Sequence, residues 1–194
     1  MRMLVVVASA TGRTRRMAEA VAEGAREAGA DVAVMDAGRA GEDDVLAADA
    51  LVVGSGVHMA GVESSLRVFF ERLAPLWMQN RLVGKVGAAF ASAGAGARGG
   101  GELTLVSIWA NLAEHGLLLV PMHNRLEGYP GAGCHWGPIA WTNPRRGEAG
   151  PTERHLTAAR AHGRWVAECT ARWMRGAPES DGQAAATRKR TPPA

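Results

Sequence analysis

Five short apolar runs, at residues 3–8, 32–35, 50–54, 86–92 and 117–121, punctuate the chain at intervals filled by helical patterns. Each run is strand-length and apolar on both faces, as a strand buried inside a parallel sheet must be. Between them, Met17, Ala20, Val21, Gly24 and Ala28 share one helical face, as do Leu66, Phe69, Phe70 and Leu73, and then Leu105, Ile108, Trp109 and Leu112. A last long pattern, Leu156, Ala159, Gly163, Val166, Thr170 and Trp173, follows the helix-start signal Pro151-Thr152-Glu153. Strands alternating with helices close their apolar faces as a parallel sheet covered on both sides, so the spacing predicts a doubly wound α/β fold. Five strands with a ligand signal in the first loop fit the order 2-1-3-4-5, with ligands at the carboxyl ends of the strands.

The 194 residues suffice for one domain, and 47% hydrophobic with 21% charged residues is a globular balance. The formal charge of +3 is concentrated by Arg188, Lys189 and Arg190 in a Pro/Ala/Thr-rich end segment. The body carries no basic stripe, and its six tryptophans do not alternate with Arg or Lys, so nucleic acid is not an expected partner. Cys134 and Cys169 are too few for a disulfide framework and lack metal-ligand spacing, which points to a reducing compartment and to no metal site. The first apolar run ends at Ser9, too short for a signal segment or a membrane span, and a cytoplasmic setting is expected. Residues 1–175 read as the folded domain and 176–194 as a disordered tail; residues 122–150, rich in Gly, Pro and aromatics without a period, read as a long lid or interface arm.

Three strand-to-helix loops carry the chemical signals. Ser9-Ala10-Thr11-Gly12-Arg13-Thr14 places hydroxyls and a glycine at a helix N-terminus, where backbone N–H groups and the helix dipole favour a phosphate monoester. It lacks the Gly-Lys-Ser/Thr ending of a nucleoside-triphosphate loop, and an ordinary helix cap is the plainer alternative. Gly94-Ala95-Gly96-Ala97-Arg98-Gly99 matches G-x-G-x-x-G literally, but Glu114 precedes the next strand instead of ending it, so the dinucleotide context fails. These glycines suit close approach of backbone to a flat ring. The middle loop, Gly54-Ser55-Gly56-Val57-His58-Met59-Ala60-Gly61, suits an apolar ring face, with His58 either a base or a surface histidine. Cys134-His135 lacks a third group to make a nucleophilic site, and Cys169 reads as packing.

Together these loops resemble the flavodoxin-like NAD(P)H:quinone oxidoreductases of the WrbA type. The resemblance runs from about Met3 to Trp173 and is strongest in Ser9-x-Thr11-Gly12-x-Thr14, in Ala48 to Ser55, in Leu76-Trp77 with Leu82-Val83-Gly84-Lys85, and in Gly99 to Leu105 through His115-Gly116. It implies FMN, its phosphate on Ser9, Ala10, Thr11, Gly12, Arg13 and Thr14, and its ring between Val57-His58-Met59 and Ser92-Ala93-Gly94-Ala95-Gly96. It implies NAD(P)H as hydride donor, a quinone or similar flat acceptor, Trp77 as a wall of the substrate site, and a homodimer or homotetramer. His135, Trp136 and Trp141 are the aromatic candidates in the long segment for closing the pocket, from the same or a neighbouring subunit. Where that family's second loop reads Pro-Thr-Tyr/Arg-Phe-Gly, this chain reads Gly56-Val57-His58-Met59-Ala60, and Glu114 stands at the first histidine of a His-His-Gly. A one-electron carrier, or a flavin-free binding protein on the same fold, are the competing readings.

Overall fold

A computed structural model describes residues 1–94, 100–143, 147 and 149–176. In chain order it forms β1 (Arg2–Ala8), α1 (Arg13–Glu27), β2 (Asp31–Asp36), α2 (Glu42–Ala47), β3 (Ala50–His58), β4 (Gly61–Val62), α3 (Ser64–Arg72) and α4 (Ala74–Met78). There follow β5 (Val86–Gly94), α5 (Gly100–Glu114), β6 (Leu118–Leu119), α6 (Tyr129–Ala132), β7 (Gly133–Cys134), β8 (Gly137–Thr142) and α7 (Glu153–Gly176). The sheet runs β2-β1-β3-β5-β8-β7, parallel from β2 through β8. Counting the main strands alone, this is the expected 2-1-3-4-5 order.

The fifth position departs from the sequence expectation. Residues 117–121 form only the two-residue β6, which pairs with Val86 and Gly87 at the start of β5. Pro121 has no N–H to continue the ladder. The position beside the end of β5 is filled instead by β8, with Ala91 opposite Ile139 and Gly94 opposite Thr142. Entry of β8 depends on Gly137, at φ 142°, where a Cβ would stand 2.1 Å from the Ala89 carbonyl oxygen. The segment 122–150, expected as an irregular arm, therefore contains a short helix, a hairpin and a sheet strand. Helices α2 and α4, of six and five residues, are too short for a periodic apolar face to show in the sequence.

Two apolar layers flank the sheet. One gathers Leu4, Val6, Leu51, Val53, Phe69, Leu105 and Ile108 under α3, α4 and α5. The other gathers Met3, Val5, Met17, Val21, Val52, Phe90 and Val166 under α1 and α7. On that second side α1 and α7 approach backbone to backbone: a Cβ on Gly24 would fall 1.9 Å from the Arg160 carbonyl oxygen, and one on Gly163 2.0 Å from that of Val21. Arg160 then bridges Glu23 of α1 and Glu153 at 2.8 and 2.7 Å. His162 lies wholly inside this layer, its Nε2 3.3 Å from the Val120 carbonyl oxygen, and burial lowers its pKa to about 4. Among the described residues no helix is long and apolar enough to cross a membrane.

Candidate functional site

The carboxyl ends of β1, β3 and β5 open into one cleft. β1 stops at Ala8, and the chain turns through residues 9–12 to start α1 at Arg13, with Gly12 as N-cap at φ 78°. A side chain is strained at that angle, and among the described residues no atom lies within 4 Å of where it would stand. The Arg15 N–H donates to Ser9 Oγ at 3.1 Å, closing the loop, and no acidic residue occupies the first turn of α1. The exposed N–H ends of this helix thus face outward with positive character and without a carboxylate to compete for them.

The second wall is the hairpin of β3 and β4. Val57 pairs with Val62 and His58 with Gly61, leaving Met59 and Ala60 as a two-residue turn at φ 47° and 64°. Such left-handed turns ordinarily recruit Asn and Gly. Buried Ser55 holds the base of the hairpin, donating to the Gly56 carbonyl at 2.7 Å and accepting from the Glu63 N–H at 2.9 Å. The third wall is the end of β5. There Ser92 Oγ shares a 2.7 Å hydrogen bond with Thr14 Oγ1, both groups buried, tying α1 to the middle of the sheet.

These walls enclose a cavity of about 160 Å³ lined by Ala10, Thr11, Arg13, Thr14, Gly56, Val57, His58, Ser92, Ala93, Gly94 and Thr142. A groove of about 400 Å³ formed by Thr11, Gly12, Arg13, Arg16, Ala149 and Gly150 adjoins it, sharing Thr11 and Arg13. The donor set is therefore basic and hydroxylic at the helix end, and narrow and glycine-edged at the strand end. An anion fits the first part and a flat ring the second. Thr142, whose hydroxyl donates to the Ala93 carbonyl at 3.3 Å, was not foreseen because its strand was not. Arg16 was missed as well, although its position one turn into α1 from Gly12 was readable.

The sequence candidates distribute unevenly around this cleft. Ala10, Thr11, Gly12, Arg13, Thr14, Val57, His58, Ser92, Ala93 and Gly94 come together on its walls or on the adjoining groove. Ser9 acts behind the loop on Arg15, and Met59 is fully exposed at the hairpin tip. Ala95 and Gly96 lie outside the described residues, as does 177–194 of the expected 176–194 tail, whose first residue, Gly176, instead ends α7. Trp77 sits on α4 in a different groove, of about 240 Å³, with Phe70, Glu71, Asn111, Glu114 and His115. That location follows from topology: α3 leaves the cleft after Glu63 and β5 begins at the opposite rim, so α4 between them is carried to the far edge. In this groove burial lowers the His115 pKa and neighbouring Glu114 opposes the shift.

His135 and Trp136 form the turn between β7 and β8. The Tyr129 hydroxyl lies 3.2 Å from the His135 ring nitrogens, and Trp136 meets Trp109 edge-on at 5.7 Å between ring centroids. The cleft is reached only at Thr142, the other end of β8, about 17 Å along the strand at ~3.3 Å per residue. Within one chain, then, neither residue reaches the cleft. Trp141 packs against the first turn of α5, where a Cβ on Gly101 would come within 2.7 Å of its ring. Cys134 and Cys169 are free, half-buried thiols whose pKa values burial raises. Among the described residues no group of three or more His, Cys, Asp or Glu could hold a metal ion.

A parallel sheet of this order, with an anion loop after the first strand and a ring-shaped cleft at the strand ends, defines a flavodoxin-like protein. The flavodoxin domain family model matches residues 4–96. The chain is 36% identical over 193 residues to the NAD(P)H dehydrogenase (quinone) of Methylocella silvestris, covering 86% of this chain and 96% of the relative. It is 35% identical over 195 residues to the protein of that name from Nitrobacter winogradskyi, covering 88% and 98%. Among solved structures, the crystal structure of the flavodoxin, WrbA-like protein from Agrobacterium tumefaciens superposes with a TM-score of 0.67 at 26% identity, covering 88% of this chain and 98% of that one. The chain belongs to the NAD(P)H dehydrogenase (quinone) family, as the sequence resemblance had indicated.

Proposed function

We propose that this protein is an FMN-dependent oxidoreductase that takes electrons from NAD(P)H and delivers them to a quinone or a similarly flat acceptor. The observation that carries the reading is the continuity of a carboxylate-free anion groove with a narrow ring cleft through Thr11 and Arg13, in a chain related over most of its length to NAD(P)H dehydrogenases (quinone). The N-terminus of α1 and the guanidinium groups of Arg13 and Arg16 hold the phosphate, and Val57, His58, Ser92, Ala93, Gly94 and Thr142 border the ring. Bound there, FMN supplies the two-electron chemistry. The chain's own part is to position the ring, to offer backbone and hydroxyl donors at its edge, and to leave one face open to a flat partner.

Trp77 lies at the opposite rim from the cleft in its own chain, so it walls a substrate site only in a neighbouring copy. The reading therefore includes a homo-oligomer, a dimer or tetramer, and the same requirement holds for His135 and Trp136. Residues 1–175 constitute the FMN-binding domain, and a cytoplasmic setting suits the two free thiols. The test is an anaerobic absorbance titration: added FMN acquires a protein-bound spectrum that NAD(P)H bleaches and a quinone restores. Failure of the protein to bind supplied FMN overturns the reading.

A further inference from the structure

A third groove opens at the carboxyl rim of the sheet, beyond the anion groove and the ring cavity. It holds about 360 Å³ and is walled by Glu102, Trp141 and Arg154, with residues 130–133 completing it. Glu102 lies in the first turn of α5 and Arg154 in the first turn of α7, helices on opposite faces of the sheet, and Trp141 comes from β8 between them. The indole is held in place by α5, where a Cβ on Gly101 would come within 2.7 Å of its ring. On the other wall the stem of Arg154 rests on Gly131, its Cδ and Cβ lying 3.5 and 3.7 Å from where a side chain of that glycine would start. One groove thus presents an aromatic wall, a guanidinium and a carboxylate.

Its relation to the ring cavity follows from the strand. Consecutive strand residues face opposite sides, so Trp141 turns into this groove and Thr142 into the ring cavity. Only the end of β8 separates the two spaces. We propose that this groove binds the adenosine diphosphate end of NAD(P)H, with the base on Trp141, ribose hydroxyls on Glu102 and a phosphate on Arg154. The inference rests on the NAD(P)H-dependent reading above. Only the nicotinamide of such a donor has to meet the flavin ring, and the non-reacting remainder needs a surface of its own, where its binding energy holds the reacting end in place. The Gly94–Gly99 stretch does not supply that surface in the usual way, since no acidic residue ends the following strand. The third groove has the complementary chemistry: an indole for a flat heteroaromatic base, a carboxylate for ribose hydroxyls and a fork of N–H donors for phosphate. A quinone carries none of these groups, so the groove serves the donor and not the acceptor.

The experiment is a calorimetric titration of 5′-ADP into the protein with FMN in excess, so that the α1 loop is already filled, for the wild-type chain, Arg154→Gln and Trp141→Leu. Arg154 is exposed, and thermal melts establish that the variants are folded. The wild type is expected to bind one ADP. Arg154→Gln should weaken that binding roughly tenfold, and Trp141→Leu roughly fivefold or more. In steady-state assays Arg154→Gln should raise the KM for NADH by a similar factor, with kcat and the KM for the quinone nearly unchanged. ADP that fails to bind the wild type, or binds it and Arg154→Gln equally, overturns the groove assignment, while FMN binding, read separately by absorbance, stands. Arg154-dependent ADP binding in a chain that takes up no FMN overturns the flavin reading and keeps the groove as a nucleotide site.

Discussion

Glycine does opposite work on the two sides of this molecule. Between α1 and α7, Gly24 and Gly163 are spent on contact, since their missing side chains let two helix backbones touch. At the cleft, Gly12 and Gly94 have no atom of the described residues within 4 Å of where a side chain would be. There the missing side chains leave room for something other than protein. The first pair secures the fold, and the second set keeps a surface of backbone open.

Substitutions at the two places should separate accordingly. Gly163→Ala drives a methyl into the Val21 carbonyl, with only backbone there to give way, and should cost about 3 kcal/mol or more, read from the urea midpoint. It should leave the FMN affinity of the remaining folded protein unchanged. The same helix layer gives the next largest effect through pH. Burial holds the folded pKa of His162 at about 4, below the ordinary ~6.5, so the neutral form is the one that fits. Its stabilisation is complete above pH 6.5 and is lost as pH falls from 6.5 toward 4, amounting to about 3 kcal/mol over that window. Urea unfolding at pH 7.5 and 4.5 should show this loss in the wild type and a smaller one in His162→Phe.

At the cleft the balance inverts. Gly12→Val, forced to φ 78°, should cost only about 1–2 kcal/mol of stability while weakening FMN binding by more than tenfold; equal losses in both would place Gly12 with the structural glycines. Thr14→Val strands the Ser92 hydroxyl in a buried position and should cost about 1–2 kcal/mol, and Thr14→Ser should recover most of it. The smallest change, Met59→Gly, relieves a left-handed backbone and should raise stability by up to about 1 kcal/mol in a thermal melt.

Four of the five main strands were readable from their apolar runs: β1, β3 and β5 because they are buried on both faces over most of their length, and edge strand β2, where only Val32 is buried, because its centre Val32 to Met35 is apolar. The fifth was not, because its long half begins Gly137-Pro138, a pair that signals a turn, and because it lies beside β5 for only four residues, Ile139 to Thr142. The same failure hid Thr142. The loops after β1 and β3 and the end of β5 announced the cleft through their composition, since glycines and hydroxyls at strand ends leave backbone exposed. Trp77, His135 and Trp136 could not be placed from sequence, because their side-chain types say nothing about which rim of the sheet the intervening helix or hairpin delivers them to.

The interrupted fifth strand has a bearing on how such a chain can vary. The backbone leaves the sheet opposite Gly87 and returns opposite Ala91, so the excursion that carries α6 and β7 starts and finishes at nearly the same place. It is a cassette with closely spaced ends, mounted at the edge of the sheet near the middle of β5 and away from the cleft. Its outer face can vary in content, provided that Met122 and Ala132 keep their buried packing against Ala158 of α7, while the strand ends that form the site keep their register.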